Sequence, residues 1–306
     1  MEFLSKLGIK EADAREILAC NEKIGDTIQK LAEEYMSFAP KAFLKPYQEG
    51  ERAITEQRRN AFLSRVQEAA GEAPVYKAWL LFWLHCVPYA WERYRQMGIP
   101  EEIFWDTMKD ITYKLEECRQ VYETCGVFSS WFSLHFDWQV AAFGRLQYQI
   151  REFPKERYVW GDYELNCGDL VYACHIPSSG KLTEALCLDS LQRAYEFLKK
   201  DLKTGILPVV CSSWMLFPPY VEHVFEEGSN LKAFARMFDV VDVKSRETFD
   251  DGWRIFGSAY SGPISRLPRS TSLCRNMIRY MENGGSYGFG YGILLYDGEQ
   301  KKIINR

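Results

Sequence analysis

The sequence lacks the patterns by which most cysteine and histidine sites are recognised. It has nine cysteines and only four histidines among 306 residues. The cysteines are odd in number and scattered, with no CxxC pair and no Cys/His cluster at zinc spacing. These absences argue against a disulfide framework and against a zinc site, so we predict no metal. Thiols that stay reduced are typical of a cytoplasmic protein.

The sequence also lacks an excess of basic residues and a long uninterrupted apolar run. The net charge is -4 and the pI is near 5.8, so no general basic field attracts nucleic acid or anionic lipid, and neither is predicted as a partner. The longest apolar stretch, residues 75–91, is interrupted by Lys77, His85 and Pro88. This pattern favours a buried helix over a membrane span. The N-terminus has no signal-peptide pattern.

The first 125 residues have the periodicity of helices. Apolar residues recur at helical intervals in "EADAREILACNEKIGDTIQKLAEEYMSF", "TEQRRNAFLSRVQEAA" and the tryptophan-rich run. The segment "PEEIFWDTMKDITYKLEECRQVYE" is predicted as one helix with Pro100 at its first position. We therefore expect an all-helical N-terminal domain over residues 1–130.

Beyond Gly126 the pattern changes to alternating strands and helices. Strands are predicted at "FGRLQYQIREF", "YELNCGDLVYACHIP", "ILPVVCSSWML", "FDVVDVKS", "GWRIFGSAY" and "YGFGYGILLYDGE", and helices at "TEALCLDSLQRAYEFLKKDL", "YVEHVF", "LKAFARMF" and "TSLCRNMIRYMENGG". The segment "SSWFSLHFDW" at the boundary is also compatible with a helix. The expected fold class is α+β, with the helical domain followed by an α/β domain with a mixed sheet over residues 131–306.

His175 lies where a predicted strand ends and "PSSGKLT" leads into a helix. In α/β sheets such strand ends face the ligand crevice, and a neutral imidazole is a suitable general base near neutral pH. The alternative is a structural histidine that bonds a neighbouring loop. Periodicity alone favours that structural alternative slightly.

The next buried strand also ends in polar residues, at Cys211–Ser213. A right-handed crossover through the intervening helix would make the two strands parallel neighbours and bring this segment close to His175. One hypothesis is a Cys/His pair with Cys211 as a thiolate nucleophile. Buried free cysteine is more often a core residue, and Ser212 and Ser213 are better suited to donate hydrogen bonds to a ligand.

Two further motifs resemble anion sites, but each has a more common structural explanation. The glycine-rich run "NGGSYGFGYG" precedes a strand, whereas a phosphate-binding loop follows a strand and opens a helix. A helix C-cap followed by a bulged strand explains it better. Arg266, Arg269 and Arg275 precede a helix and fit either a phosphate site or an ordinary surface loop.

The second half resembles a known family in the order of its elements. These are a strand entering "HIP", an amphipathic helix, a strand ending in "CSSW", then "SN" at Ser229 and Asn230, and "LPRSTSL" at Leu267 to Leu273. Together with the helical first half, the chain resembles a bacterial acyltransferase family that joins a helical N-terminal domain to a GNAT-like C-terminal domain. The resemblance covers essentially all 306 residues.

The resemblance implies an N-acyltransferase that moves an acyl group from an acyl-CoA or acetyl-CoA thioester to the amine of a small molecule or peptide. In this fold two parallel strands splay apart around the donor, so His175 would be the base and Ser212 would face it. Tyr220 would be the acid for the leaving thiolate, although a buried structural tyrosine is an equal alternative. The remaining donor-site residues implied are Ile176, Ser178, Ser179, Gly180, Lys181, Cys211 and Ser213.

The sequence departs from the family at the phosphate loop. The usual Q/R-x-x-G-x-G/A fingerprint is replaced by "SSGKLT", which has one glycine. An acyl carrier protein or another activated donor is therefore also compatible. The alternative function is a non-catalytic ligand-binding or interaction protein on a degenerate GNAT-like scaffold, for which the gap between the strands would be closed by Trp214 or Tyr172.

Overall fold

The fold was analysed in a computed structural model, which describes residues 2–38, 43–47, 50–128 and 132–306. The chain divides into two units, residues 1–142 and 143–306. The first unit is helical. Its helices are α1 (Glu11–Ser37), α2 (Glu51–Ala70), α3 (Val75–Gln96), α4 (Glu101–Met108), α5 (Asp110–Tyr122) and α6 (Ser133–Phe136).

The apolar stretch around Pro88 forms α3, which continues through the proline and buries much of its length. The helix prediction for this stretch is confirmed. None of the helices in the described part of the chain has both the length and the apolarity that crossing a bilayer requires.

The helix predicted from Pro100 onward is in fact two helices, α4 and α5, separated at Lys109, and Pro100 lies just before the first of them. The hydroxyl of Thr107 donates to the carbonyl oxygen of Ile103 at 2.6 Å and accepts from the amide of Ala142 at 2.9 Å. A threonine that bonds back to the preceding turn bends a helix, which accounts for the interruption.

The second unit contains the main sheet. Its strands are β1 (Val140–Phe143), in which the division between units falls, β2 (Leu146–Glu152), β3 (Arg157–Trp160), β4 (Tyr163–Asn166), β5 (Leu170–His175), β6 (Ile206–Ser213), β7 (Asp239–Arg246), β8 (Tyr287–Asp297) and β9 (Lys302–Ile303). Its helices are α7 (Glu184–Leu198), α8 (Pro218–His223), α9 (Asn230–Ala235), α10 (Trp253–Phe256) and α11 (Ser272–Glu282).

The main sheet has seven strands and contains the order β2-β5-β6-β8-β7, with β9 paired to β8. β5 and β6 are parallel, whereas β2 and β5, β6 and β8, and β7 and β8 are antiparallel. The predicted mixed sheet and the α+β class are therefore confirmed. The parallel pair is joined through α7, as the crossover rule requires.

Two predicted strands differ from the structure. "YELNCGDLVYACHIP" is interrupted because Gly168 has φ +86° and Asp169 accepts from the amide of Asn166 at 2.7 Å. This turn leaves β4 in a separate two-stranded sheet with β3. "GWRIFGSAY" forms α10 and a 3-10 turn instead of a strand, and Asp251 accepts from Nε of Arg254 at 2.8 Å within this helical turn.

One face of the sheet carries an apolar core over which the β3–β4 hairpin packs. Its buried members are Phe153, Tyr158, Leu165, Val171, Val210, Ile293 and Leu295. On β5 the alternate residue Ala173 packs against the same cluster. Since side chains alternate along a strand, His175 is directed to this face as well. The core therefore fixes the direction in which the end of β5 presents its imidazole.

Candidate functional site

The parallel strands β5 and β6 pair over only a short length. Their register joins Tyr172 to Val209 and Ala173 to Val210. The same offset places His175 opposite Ser212, beyond the last paired residues. The ladder between these two strands therefore stops short of His175 and Ser212.

A cavity of about 550 Å³ lies at these strand ends. Its size is within the range of small-molecule and cofactor sites. It is lined by Arg145, Cys174, His175, Ile176, Pro177, Ser178, Gly180, Lys181, Leu182, Cys211, Ser212, Ser213, Trp214, Met215, Asn230, Leu231, Asp251, Arg254, Ile255 and Leu273. All of the predicted site residues except Ser179 and Tyr220 line the cavity.

The cavity is open, although the non-catalytic alternative expected Trp214 or Tyr172 to fill the gap. Trp214 forms part of the wall, and Tyr172 is buried and does not line the cavity. Burial raises the pKa of Tyr172 to about 12, as expected for a phenol held in the core. Neither side chain takes the place of a ligand.

His175 is half-buried at the end of β5. Its Nε2 lies 3.1 Å from Oε1 of Gln149, a buried residue of β2. The imidazole therefore lines the cavity and is also hydrogen-bonded to the side chain of Gln149. This arrangement is compatible with both interpretations made from the sequence, a base and a structural histidine.

The loop after β5 is shaped by hydrogen bonds within the backbone and from Arg145. The amide of Ser179 donates to the carbonyl oxygen of Pro177 at 2.8 Å, and Gly180 has φ +63°. Nε of Arg145 donates to the carbonyl oxygen of Lys181 at 3.1 Å, and Nη1 donates to that of Pro177 at 3.0 Å. Arg145 thus ties together both ends of a loop that has only one glycine.

Two buried thiols lie at the strand ends. Cys174 and Cys211 are buried, and both line the cavity. The hydrogen bond with Cys211, together with burial, raises the pKa of Cys174 well above its usual value. Cys211, the nucleophile of the Cys/His hypothesis, is buried beside this thiol, as a core cysteine would be.

Tyr220 lies outside the cavity. It is fully buried in α8, with ring centroids 4.9 Å from Phe217 and 5.5 Å from Tyr280. Burial raises the pKa of its hydroxyl, which weakens it as an acid. The structure therefore brings His175 and Ser212 to one cavity but does not bring Tyr220 there.

One part of the cavity is apolar and was not predicted from the sequence. It contains Trp214 and Met215 from the turn after β6, together with Leu231, Ile255 and Leu273. Asp251 and Arg254, an ion pair at 2.8 Å, also line the cavity. These residues come from four segments that are distant in sequence, and of the family motifs only "CSSW" and "LPRSTSL" include any of them, Trp214 and Leu273.

The glycine run and two arginines of the predicted cluster make contacts within the fold. A Cβ on Gly290 would lie 2.2 Å from the carbonyl oxygen of Leu216, so β8 needs glycine there for close packing. Arg269 forms an ion pair with Glu282 at 2.8 Å. Arg275 donates to the carbonyl oxygen of Arg269 at 3.0 Å. None of these residues lines the cavity.

Among the described residues, no group of three or more His, Cys, Asp or Glu side chains is arranged to hold a metal ion. The polar groups that line the cavity include the imidazole of His175, the hydroxyls of Ser212 and Ser213 and the cationic groups of Arg145 and Lys181.

The comparisons with known proteins agree with this architecture. Residues 140–294 match the model of the GNAT-like C-terminal domain, and residues 1–138 match that of the N-acyltransferase N-terminal domain. The chain belongs to the acyltransferase family that joins these two domains. The family resemblance stated from the sequence is confirmed. No curated protein sequence matches the chain.

Several solved acyltransferases share the fold of this family member. A complex with decanoyl-CoA has a TM-score of 0.66 at 20% identity, covering 95% of this chain and 86% of that chain. A mutant acyltransferase with octanoyl-CoA has a TM-score of 0.65 at 21% identity, with the same coverage. A complex with decanoyl-CoA and teicoplanin has a TM-score of 0.61 at 21% identity, covering 95% of this chain and 98% of that chain.

Proposed function

We propose that the chain is an N-acyltransferase that takes its acyl group from an acyl-CoA thioester and transfers it to an amine. The observation that carries this proposal is the open cavity at the ends of β5 and β6, beyond the short stretch over which the two strands pair, with His175 and Ser212 on its walls. The CoA thioesters bound by the structural neighbours support the same donor class. None of the comparisons supports an acyl carrier protein.

The phosphates of CoA would bind at the loop after β5. Ser178, Gly180 and Lys181 line this part of the cavity, and Ser178 and Lys181 are exposed to solvent. Hydroxyls, backbone amides and an ammonium group are suitable donors to phosphate oxygens. We propose that Arg145 takes over the structural task of the missing glycines by holding this loop in shape.

The acyl chain would occupy the apolar part of the cavity. Trp214, Met215 and Leu231 lie on the wall there, and Ile255 and Leu273 continue it. Transfer of a hydrocarbon chain from water to such a surface is favourable by about 0.8 kcal/mol per buried CH₂. This supports an acyl group longer than acetyl.

In the proposed reaction, the amine nitrogen attacks the thioester carbonyl carbon. The C–N bond forms, the C–S bond breaks, and His175 accepts the proton that the amine loses. The hydroxyl of Ser212 donates a hydrogen bond to the thioester carbonyl oxygen, on which negative charge develops during the attack. CoA leaves as the thiolate, and the imidazolium gives its proton to this thiolate, directly or through solvent, so that the products are the amide and the CoA thiol. Because Tyr220 is buried away from the cavity, we assign it no part in this step.

The acceptor is proposed as the primary amine of a small molecule or peptide. The support is that the structural neighbours include a complex with teicoplanin. A panel of primary amines tests this acceptor class.

The proposal is tested by donor binding and by turnover. Calorimetric titration of the chain with CoA, acetyl-CoA and octanoyl-CoA should show binding, tightest for octanoyl-CoA. Turnover is followed as release of the CoA thiol in the presence of the amine panel. His175→Ala should lower kcat by about 10²-fold to 10⁴-fold, the usual contribution of a general base, and leave donor affinity unchanged.

His223→Ala is the matched control, since His223 is exposed on α8 and does not line the cavity. Its kcat should equal that of the original protein. Absence of binding for all three CoA compounds would reject the donor assignment. Full turnover in His175→Ala would reject the base.

A further inference from the structure

The side chain of Gln149 joins the imidazole of His175 to a cationic residue on the same strand. Its Oε1 lies 3.1 Å from Nε2 of His175. The same oxygen accepts from Nε of Arg151 at 3.1 Å and from Nη2 of Arg151 at 2.8 Å. Gln149 is buried, with 5% of its surface exposed, whereas Arg151 is exposed to solvent.

The donors and acceptors of this group have one consistent arrangement. A guanidinium has only donors, so the amide group of Gln149 must present its oxygen to Arg151. The same oxygen contacts Nε2 of His175 and can only accept there as well. Nε2 must therefore carry a hydrogen, and in the neutral imidazole the lone pair is on Nδ1.

We propose that Gln149 is a positioning residue that fixes the Nε2–H tautomer of His175, and that Arg151 holds the Gln149 amide in the orientation this requires. The catalytic meaning of the proposal rests on the proposed role of His175 as base, because only one ring nitrogen of a neutral imidazole can accept a proton. Because the side chain of Gln149 is an uncharged amide, it orients the imidazole of His175 without placing a negative charge next to the ring.

The register of the sheet explains why these residues meet. β2 and β5 are antiparallel, with Gln147 opposite His175 and Gln149 opposite Ala173. Gln149 is therefore diagonal to His175 on the same face, within reach of a long side chain. Arg151 follows two residues later and is directed to that face by the alternation of the strand.

The tautomer can be measured directly by NMR. In protein labelled with ¹⁵N-histidine, two-bond correlations distinguish the Nε2–H and Nδ1–H forms at a pH of about 8.5, where neutral imidazole dominates. The chain has four histidines, and the signal that disappears in His175→Ala belongs to His175. We expect His175 to be in the Nε2–H form.

Variants of the partner residues test the cause. Gln149→Leu removes the acceptor with little change in volume, and His175 should become a mixture of both tautomers, with kcat lowered about tenfold or more and donor Kd unchanged. Gln149→Glu restores an acceptor oxygen and should restore the Nε2–H form. Arg151→Met removes the donors that hold the Gln149 amide, so the amide can rotate by 180° and His175 should again be a mixture of both tautomers. Because Arg151 is exposed, this variant should fold even if Gln149→Leu folds poorly.

Asn21 and His85 provide a matched control outside the cavity. Nε2 of His85 lies 2.8 Å from Oδ1 of Asn21, the same kind of contact. Asn21→Leu should alter the spectrum of His85 alone and leave turnover unchanged.

The two proposals fail in different ways. Full turnover in His175→Ala would reject the base, whereas the NMR result would still report the tautomer. An unchanged Nε2–H signal of His175 in both Gln149→Leu and Arg151→Met, or an Nδ1–H form in the original protein, would overturn the positioning role.

Discussion

The guanidinium of Arg145 donates to the carbonyl oxygen of Lys181 across the loop that follows β5, at a distance of 3.1 Å. A second bond of 3.0 Å reaches the carbonyl oxygen of Pro177, so one side chain determines the span of the loop. Lysine cannot replace this planar group, because it has no fixed fork of donors. The shape of the loop that we propose for the CoA phosphates therefore depends on Arg145, which lies in the turn between β1 and β2.

We predict that Arg145→Lys raises KM for acyl-CoA about tenfold and changes kcat much less, since a loss of roughly 1.4 kcal/mol of hydrogen bonding corresponds to a factor of ten. Steady-state kinetics with octanoyl-CoA measure this. Arg275→Lys is the control, because Arg275 also bridges two carbonyl oxygens, those of Arg269 and Ser270, away from the cavity. Equal KM values for both variants and the original protein would contradict the role of Arg145.

Gly290→Ala should destabilise the fold around the cavity. The new Cβ would lie 2.2 Å from the carbonyl oxygen of Leu216 and 2.7 Å from its carbonyl carbon, and backbone cannot move aside cheaply. We expect a loss of about 1–3 kcal/mol in the free energy of unfolding, together with weaker octanoyl-CoA binding, because Trp214 and Met215 belong to the same turn. Thermal unfolding and calorimetry measure both effects.

Gly205→Ala is the comparison for that experiment. A Cβ on Gly205 would meet only the hydroxyl of Tyr195, at the ordinary distance of 3.9 Å. It should unfold at the same temperature as the original protein. If Gly290→Ala behaved identically, the close packing of β8 on this turn would not matter for stability.

Asp137 predicts a pH dependence in the helical unit. Burial raises its pKa from 3.8 to about 6, against the opposing effects of Arg58 at 2.8 Å and of Tyr35. The folded state therefore binds the proton more tightly than the unfolded state. The stability that protonation of Asp137 provides is present at low pH and is lost as the pH rises from about 4 through about 6.

The measurement compares the original protein with Asp137→Asn, which does not titrate. The free energy of unfolding of the original protein, relative to the variant, should fall by up to about 3 kcal/mol between pH 4 and pH 7, from 1.36 kcal/mol per pKa unit. Urea titrations over this range provide the curve, and the other acids cancel in the difference. A constant difference between the two proteins would show that Asp137 ionises as it does in the unfolded chain.

Alkylation separates the acyltransferase from the cysteine-dependent alternative. Cys167 is exposed, whereas Cys174 and Cys211 are buried. Iodoacetamide should therefore modify Cys167 first in the native protein, and Cys167→Ser should abolish this early reaction. Peptide mass spectrometry identifies the site. Selective modification of Cys211 would instead favour hydrolysis through a Cys211 thiolate.

The sequence by itself determined much of this protein because many of its patterns are local. Helical periodicity placed α1, α2 and α3, and the strand–helix–strand order between Leu170 and Ser213 predicted that β5 and β6 are parallel neighbours. That topological rule predicted that His175 and Ser212 lie close together, and both line the cavity.

The tertiary structure decided what depends on contacts between distant segments. The alternation in "GWRIFGSAY" suggests a strand, but the segment forms α10 and a 3-10 turn, and Asp251 and Arg254 line the cavity. Tyr220 is adjacent in sequence to the correct strand, yet packing in an aromatic cluster removes it from the site. Gln149 and Arg145 have no motif at all. Their roles arise from strand register and turn geometry, which bring together residues that are distant along the chain.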